Sequence, residues 1–389
     1  MLSPFDELPV HQTPYPLSVV ANTDNGFDDG YWFGAFSAED RVFCFSGLRI
    51  NPNTDMVGGY FGVMRDGIQR TLRFSRTWRD DPALTVGPYR LEVVEPYRHL
   101  RITVADNPSG LTAELNWRGL APAFLEAHHL ATNRGRPTTD QTRYSQPGVV
   151  DGWIDVAGDR VEVDPAHWYG SRDHSWGVYF DRPPLAADPR WLPPPRPEGV
   201  RRALRFWTLF GAGDLAGFYA IHEDPAGRQV PMNDTFGTPF EGQLSVGWDK
   251  EVYPLVAGRH ELTVVPGTRL LARGRVVLTD ADGGTWTQDV EPVGVPWVTS
   301  TIGYQGGSWK DGGSMRTYHG PGVQVEWDEF DFSRQPLDHT QYNGTVQRGL
   351  HGKEYLSRIT TTAPDGRQWT GAGHTELFLD GPYAPLGLE

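Results

Sequence analysis

The sequence predicts an all-β chain folded as two consecutive antiparallel barrels, and three observations carry that prediction. Strand formers come in short runs separated by turn residues. Gly and Pro supply the punctuation, 46 and 32 of them in 389 residues, about a fifth of the chain and too many for long helices. Near the middle, six Pro fall between residues 183 and 195 and a seventh at 197, a density that no central strand can hold. Coiled coils and helical solenoids are excluded, and the length suffices for two large β domains.

Residues 1–25 read as an N-terminal extended segment. From Gly30 the runs 30–36, 41–50 and 59–65 are separated by turn clusters at Ser37 to Asp40 and Asn51 to Asp55, the signature of an antiparallel meander. It continues through 70–76, 89–94, 100–105 and 111–118, with Asn107-Pro-Ser-Gly as a clear hairpin turn. Pro122 to Asn133 reads instead as a short helix, because Phe124, Leu125, His128 and His129 have helical spacing. These elements form the first expected barrel, residues 26–182, followed by the Pro-rich linker 183–200. The second barrel, 201–389, is expected from runs at 203–210, 217–223, 241–246, 260–265, 270–279, 285–290, 315–320, 323–330, 350–362 and 373–379. Closure would remove exposed edges.

A net charge of −14, from 35 basic and 49 acidic residues, repels phosphate and disfavours nucleic acid as a partner. Cys44 is the single cysteine, so neither an intramolecular disulfide framework nor a Cys-based zinc site is expected. The first residues lack the basic and apolar regions of a signal peptide, and no window approaches a membrane span. A soluble cytoplasmic protein with no integral membrane association is expected. Aromatic residues make up 12% of the chain, 14 of them Trp. That excess calls for a broad core or an aromatic-lined cavity, and so for a hydrophobic small-molecule ligand.

Several catalytic motifs are absent: there is no G-x-S-x-G elbow, no phosphate-binding loop and no H-E-x-x-H. Gly211-Ala-Gly213-Asp-Leu-Ala-Gly217 has one residue too many for a dinucleotide loop and joins two strand-like runs, so it reads as a tight hairpin. His128 and His129 with Glu126 suggest metal ligands, but neighbours on a helix point about 100° apart. No metal and no cofactor are expected. His374 and Glu376 share a strand face near the chain end and read as a hydrogen-bonded pair on a barrel wall, while His351 and Glu354 have opposite parity.

Residues 167–180, His-Trp-Tyr-Gly-Ser-Arg-Asp-His-Ser-Trp-Gly-Val-Tyr-Phe, are the richest segment. Strand alternation places His174 and Trp176 on one face and Asp173 and Ser175 on the other. Arg172-Asp-His-Ser-Trp-Gly resembles the Asp-His-Asn-Trp-Gly motif of the carotenoid 1,2-hydratase and AttH-like family, and Asp29-Gly-Tyr-Trp-Phe resembles that family's early aromatic strand. The resemblance implies two consecutive lipocalin-like antiparallel β-barrel domains. It also implies that His174 and Trp176, with a downstream Tyr-x-Asp, protonate an alkene. Tyr219 stands at the Tyr position, but Ile221 stands where the family has Asp. Glu223, two residues on and about 6.6 Å along the same face, offers a relocated carboxyl group and reads equally as a solvated turn residue. The motif also has a purely architectural reading, with Asp173 paired to Arg172 beneath a plugging Trp and His174 a satisfied core residue.

The expected function is a cofactor-independent lyase or isomerase, of hydratase or dehydratase type, working by acid/base chemistry on an apolar unsaturated, terpenoid-like molecule. His174, Tyr219, Glu223 and Asp173 are the candidate catalytic residues. Trp176, Trp32, Trp207 and Phe218 are the candidate substrate-binding residues. One alternative is a lipocalin-like carrier that binds without turnover. Another is a carbohydrate-active protein with Trp platforms and two carboxylates about 5 to 9.5 Å apart, a pair that no part of the sequence singles out.

Overall fold

Alternation is clearest in Leu111–Gly119, where Leu111, Ala113, Leu115 and Trp117 are buried while Glu114 and Arg118 are exposed. That period of two is what a half-buried strand requires. The computed structural model describes residues 13–79, 81–133, 136–178, 203–231, 238–248, 250–304, 306–334, 337–347 and 353–389. The fold is all-β and lipocalin-like, as the sequence predicts, with one closed barrel and one curled sheet.

The first sheet contains β1 (Phe27–Ser37), β2 (Val42–Asn51), β3 (Met56–Arg65), β4 (Ile68–Thr77), β5 (Thr85–Val86), β6 (Tyr89–Glu95), β7 (His99–Val104), β8 (Leu111–Gly119), β9 (Phe124–Leu125), β10 (His129–Asn133), β11 (Arg136–Val156), β12 (Asp159–Val163) and β13 (Tyr169–Val178). Its path runs β4-β3-β2-β1-β13-β11-β8-β7-β6-β5, with β9, β10 and β12 each paired to β11. Curling brings its ends together: Arg76 of β4 donates to the Thr85 carbonyl, and Phe74 stacks on Tyr89 at 4.8 Å. Phe33, Cys44, Phe61, Leu72, Leu115 and Trp117 fill the concave side.

The second half supplies β14 (Leu204–Ala212), β15 (Leu215–Glu223), β16 (Phe240–Val246), β17 (Glu251–Val264), β18 (Leu271–Asp280), β19 (Thr285–Pro292), β20 (Trp297–Val298), β21 (Gln324–Asp331), β22 (His339–Thr340), β23 (Val346–Gln347), β24 (Lys353–Thr362) and β25 (Gln368–Leu379). Strands β14 to β19, β25 and β24 form a continuous path, and β19 pairs with β24 to close an eight-stranded barrel. The expected hairpin at Gly213 joins β14 to β15, with Gly213 at φ +60° as a two-residue turn requires.

Three expectations are corrected. Pro122 to Asn133 is not a helix: β9 and β10 pair with the long strand β11, and exposure alternates from His128 (exposed) through His129 (buried) and Leu130 (exposed) to Ala131 (buried). Cross-strand hydrogen bonds and a one-sided core outweigh four residues of helical spacing. Residues 315–320 form no strand, and the Met315 amide donates instead to the Gly303 carbonyl. The run 323–330 becomes β21, but it pairs with β4 of the first sheet instead of lining the second barrel. Arg73, fully buried, holds it there through Glu326 and Asp328 while donating to the Thr301 carbonyl. The Pro-rich run 183–200 lies outside the described residues.

The two halves meet face to face. Trp32, Phe36, Phe43, Phe45 and Tyr60 alternate with the inward residues of β1 to β3 and therefore leave the first sheet on its convex side. On the second barrel, Phe206, Tyr219, Tyr355 and Ile359 fill the interior, while Trp207, Phe218 and His374 point outward into the same layer. Among the described residues, no helix is long and apolar enough to cross a membrane.

Candidate functional site

The layer between the halves encloses His374. This residue of β25 is 2% exposed, and its Nε2 lies 2.7 Å from Oε2 of Glu354 on β24. Four aromatic rings surround the imidazole: Trp32 stacks at 4.7 Å, Trp207 and Phe43 meet it edge-on at 5.0 and 5.2 Å, and Trp297 lies at 6.3 Å. Ser171 Oγ is 3.5 Å from Nδ1. Trp32, Phe43 and Ser171 come from the first sheet, and the other rings from the second half. The cage therefore exists only when the halves are docked.

Burial sets the charge states. Desolvation, reinforced by the neighbouring Glu376, pushes the Glu354 carboxyl well above its ordinary range, with Arg205 opposing. Desolvation likewise brings His374 down to about 4. Both shifts favour the uncharged forms, and in those forms the Glu354 hydroxyl donates to Nε2 of His374. Glu376 differs because Arg205 Nε donates to it at 2.6 Å. Burial opposes its ionisation, but Arg205 and His374 outweigh burial and lower its pKa. A second buried group adjoins this one: Ser145 donates to Glu126 at 2.5 Å, the Ala127 amide donates to Glu241 at 2.9 Å, and desolvation with the Glu126 charge raises Glu241 to about 7. His129, beside Glu126, is pushed down to about 2 by burial and by Arg143 and Arg205.

Two of these groups have ligand-type atoms within 4.8 Å of one another, Glu126 with His129 and Glu241, and Glu354 with His374 and Glu376. Arg143 and Arg205 already supply part of the positive charge that their carboxylates need.

A cavity of about 270 Å³ leads toward the cage. Exposed Arg41 and Asp66 stand at its outer part, and Phe43, Met64, Trp297 and Leu356 line it. Phe43 and Trp297 are also walls of the cage, and Leu356 is the cross-strand partner of His374. The indole N–H groups of Trp207 and Trp297 are buried with no hydrogen-bond partner among the described residues.

His174 occupies a different place, on the concave side of the first sheet. Its cross-strand partners are Tyr31 on β1 and Tyr144 on β11, and its ring stacks on Tyr31 at 4.1 Å and meets Trp176 edge-on at 5.4 Å. The hydrogen bonds run in one direction. Arg172 Nη1 donates to the Tyr144 oxygen (3.2 Å), the Tyr144 hydroxyl to His174 Nδ1 (3.2 Å), and His174 Nε2 to Asp29 Oδ1 (2.7 Å). Gly177, just beyond, sits at φ +124°, and a Cβ there would meet the Asp140 carbonyl oxygen at 2.2 Å. Only glycine fits.

Of the predicted residues, His174 and Trp176 come together, and Trp32 and Trp207 converge on His374 instead. Phe218 packs edge-on against Trp207 at 5.6 Å. Asp173 points into the layer away from His174, its Oδ1 buried with no partner among the described residues. Tyr219 does not reach His174: it lies inside the closed barrel and donates to Gln288 at 2.7 Å. Glu223 is a buried acceptor from Tyr383 (2.5 Å), 3.1 Å from His260, and not a solvated turn residue. Sequence reasoning missed Glu354, Arg205, Asp29 and Tyr144. Strand parity did flag His374 with Glu376, and the quoted segment at Asp29 already contained the partner of His174.

No curated protein matches the sequence. Residues 2–389 match a family described as Family of unknown function (DUF8625). Among solved structures, the crystal structure of CghA with Sch210972 aligns at a TM-score of 0.52 with 11% identity, over 95% of this chain and 96% of that one. Kievitone hydratase from Nectria haematococca aligns at 0.42 with 10% identity, over 90% and 89%. The CghA likeness is one of fold.

Proposed function

We propose that this chain, which belongs to the DUF8625 family, is a lyase-type enzyme that adds a proton to an apolar unsaturated small molecule in the cage around His374. The observation that carries the reading is the buried Glu354 carboxyl, its pKa raised by desolvation, hydrogen-bonded to the His374 imidazole among four aromatic rings. A neutral carboxylic acid held in a dry site is a proton donor at neutral pH.

In the proposed step the Glu354 proton passes to an alkene carbon. The π bond breaks, a C–H bond forms, and a carbocation is left on the neighbouring carbon. Trp32, Trp207 and Trp297 present π faces, each contributing about 0.5 to 2 kcal/mol to a nearby cation. The Glu354 carboxylate, relayed through His374, then takes a proton from an attacking water, giving hydration, or from an adjacent carbon, giving isomerisation. Either course restores the acid, and neither calls on a cofactor. A terpenoid-like hydrocarbon fits best, because trisubstituted alkenes give tertiary cations and Phe43, Met64, Trp297 and Leu356 line the cavity that leads to the cage.

Incubation with a panel of terpenoid alkenes and alcohols in deuterated water tests the proposal. Deuterium should enter carbon positions of a turned-over substrate, whereas ligand binding without isotope incorporation or product would favour the carrier reading.

A second reading keeps the acid/base work at His174, as the sequence suggests, with Asp29 orienting the ring and Tyr144 transferring the proton. The directed chain from Arg172 to Asp29 favours it. It lacks an enclosing aromatic cage, since the Asp29 side chain is 45% exposed.

A further inference from the structure

Arg172 is a buried cation without a counter-ion. It is 2% exposed, and no carboxylate among the described residues lies within ion-pair distance. Its acceptors are neutral: Gln146 Oε1 takes bonds from Nε (2.9 Å) and Nη2 (2.7 Å), and Tyr144 takes one from Nη1. Two of its five N–H groups are left without an acceptor among the described residues. Tyr144 and Trp117 rings at 5.1 Å and Tyr97 at 5.9 Å offset part of the charge, but π faces neither accept those hydrogen bonds well nor neutralise a guanidinium.

The surroundings are open and aromatic on one side only. Tyr97 is 47% exposed and Trp176 37%, and Tyr144 stands between them, 5.4 Å from Tyr97 and 6.4 Å from Trp176. Beyond Trp176 lies a cavity of about 440 Å³ whose apolar walls include Leu17, Val19, Phe27, Trp176 and Val178. Arg172, His174, Trp176 and Val178 share one strand face, and the Tyr144 ring stands between the guanidinium, 5.1 Å away, and the indole at the near end of that cavity, 6.4 Å away. Arg172 thus stands at one end of this strand face with Tyr144 and Tyr97 beside it, and the chamber that Trp176 helps to line stands at the other.

We propose that this concave mouth of the first sheet binds an apolar monocarboxylate, with the carboxylate on the two Arg172 N–H groups left without an acceptor and the hydrocarbon body running past Trp176 into the chamber under residues 13–22. Arginine is the side chain suited to the head group because its planar fork matches a carboxylate. The hydrocarbon gains from leaving water against Phe27 and Val178. This site is separate from the cage around His374 and does not depend on Glu354.

Titration of the full chain with dodecanoate and with dodecanol, followed by tryptophan fluorescence and calorimetry, tests the assignment. Dodecanoate should bind at least tenfold tighter than dodecanol, the preference should vanish in Arg172→Gln, and Trp176→Ala should weaken both probes alike. Glu354→Gln should bind dodecanoate as the wild type does, which keeps this result apart from the catalytic reading. Equal affinity for acid and alcohol in the wild type would overturn the proposal even if Arg172→Gln fails to fold. Retention of the preference in a folded Arg172→Gln chain would also overturn it.

Discussion

Glu354 and His374 meet on the diagonal across β24 and β25 with a 2.7 Å hydrogen bond, and the Trp32 ring of the other half of the molecule covers the imidazole at 4.7 Å. A carboxyl and an imidazole so close would share an ion pair in water. Here desolvation shifts both toward their neutral forms, because charge in a buried aromatic layer costs more than the pair recovers.

That neutrality has a pH signature. His374 ionises at about 4 in the folded protein and near 6.5 when unfolded, so between these values the unfolded chain binds the extra proton. Stability owed to the neutral imidazole is present above about pH 6.5 and is lost as pH falls toward 4, by about 3 kcal/mol in all. Urea unfolding at pH 7 and pH 5 should therefore show the gap between wild type and His374→Gln narrowing at the lower pH. An unchanged gap would mean that the imidazole titrates as it does in the unfolded chain, and a widening gap that it is already charged at neutral pH.

Arg73 joins the halves by a different route. With its guanidinium buried between Glu326 and Asp328 of β21, Arg73→Ala leaves two carboxylates without their cation and should cost about 3 to 5 kcal/mol. Arg73→Lys, which keeps the charge but loses the fork, should cost less. Thermal melting checks the order, and equal melting temperatures for wild type and Arg73→Ala would remove β21 as a strap.

Gly177→Ala should destabilise the protein by about 2 kcal/mol or more, since an L side chain is strained at φ +124° and its methyl group would strike the Asp140 carbonyl. A neutral substitution, measured by chemical denaturation, would show that β11 and β13 separate more readily than their register implies.

Much of this architecture is legible in the sequence because a sheet with one buried face writes its period into the chain. Leu111 to Trp117 can be read directly, and so can the hairpins at Asn107 and Gly213. What escapes is long-range pairing. Nothing local distinguishes 324–331 as a partner of β4, because its half-buried alternation suits either sheet. The cage escapes for the same reason. Trp32, Trp207 and His374 are visible one by one as aromatic or titratable residues, but they meet only through the docking of two sheets whose approach no spacing encodes. Glu354 carries no local signal, because its parity excludes His351 and its partner lies 20 residues on, across a hairpin. His174 was legible as a site through its motif, whereas Tyr144, its partner on β11, carries no signal before the strands pair.

Glu354 as proton donor makes a kinetic difference that one substitution isolates. The most direct test compares turnover of one accepted alkene by the wild type, Glu354→Gln and His174→Ala, each shown by circular dichroism and melting to be folded. Glu354→Gln keeps the size and hydrogen bonding of the side chain but has no acidic proton, and the account predicts a fall of about 10² to 10⁴ in kcat with little change in KM, while His174→Ala stays within a few fold of wild type. Full turnover by folded Glu354→Gln, with the loss falling on His174→Ala instead, would contradict it and move the chemistry to the mouth of the first sheet.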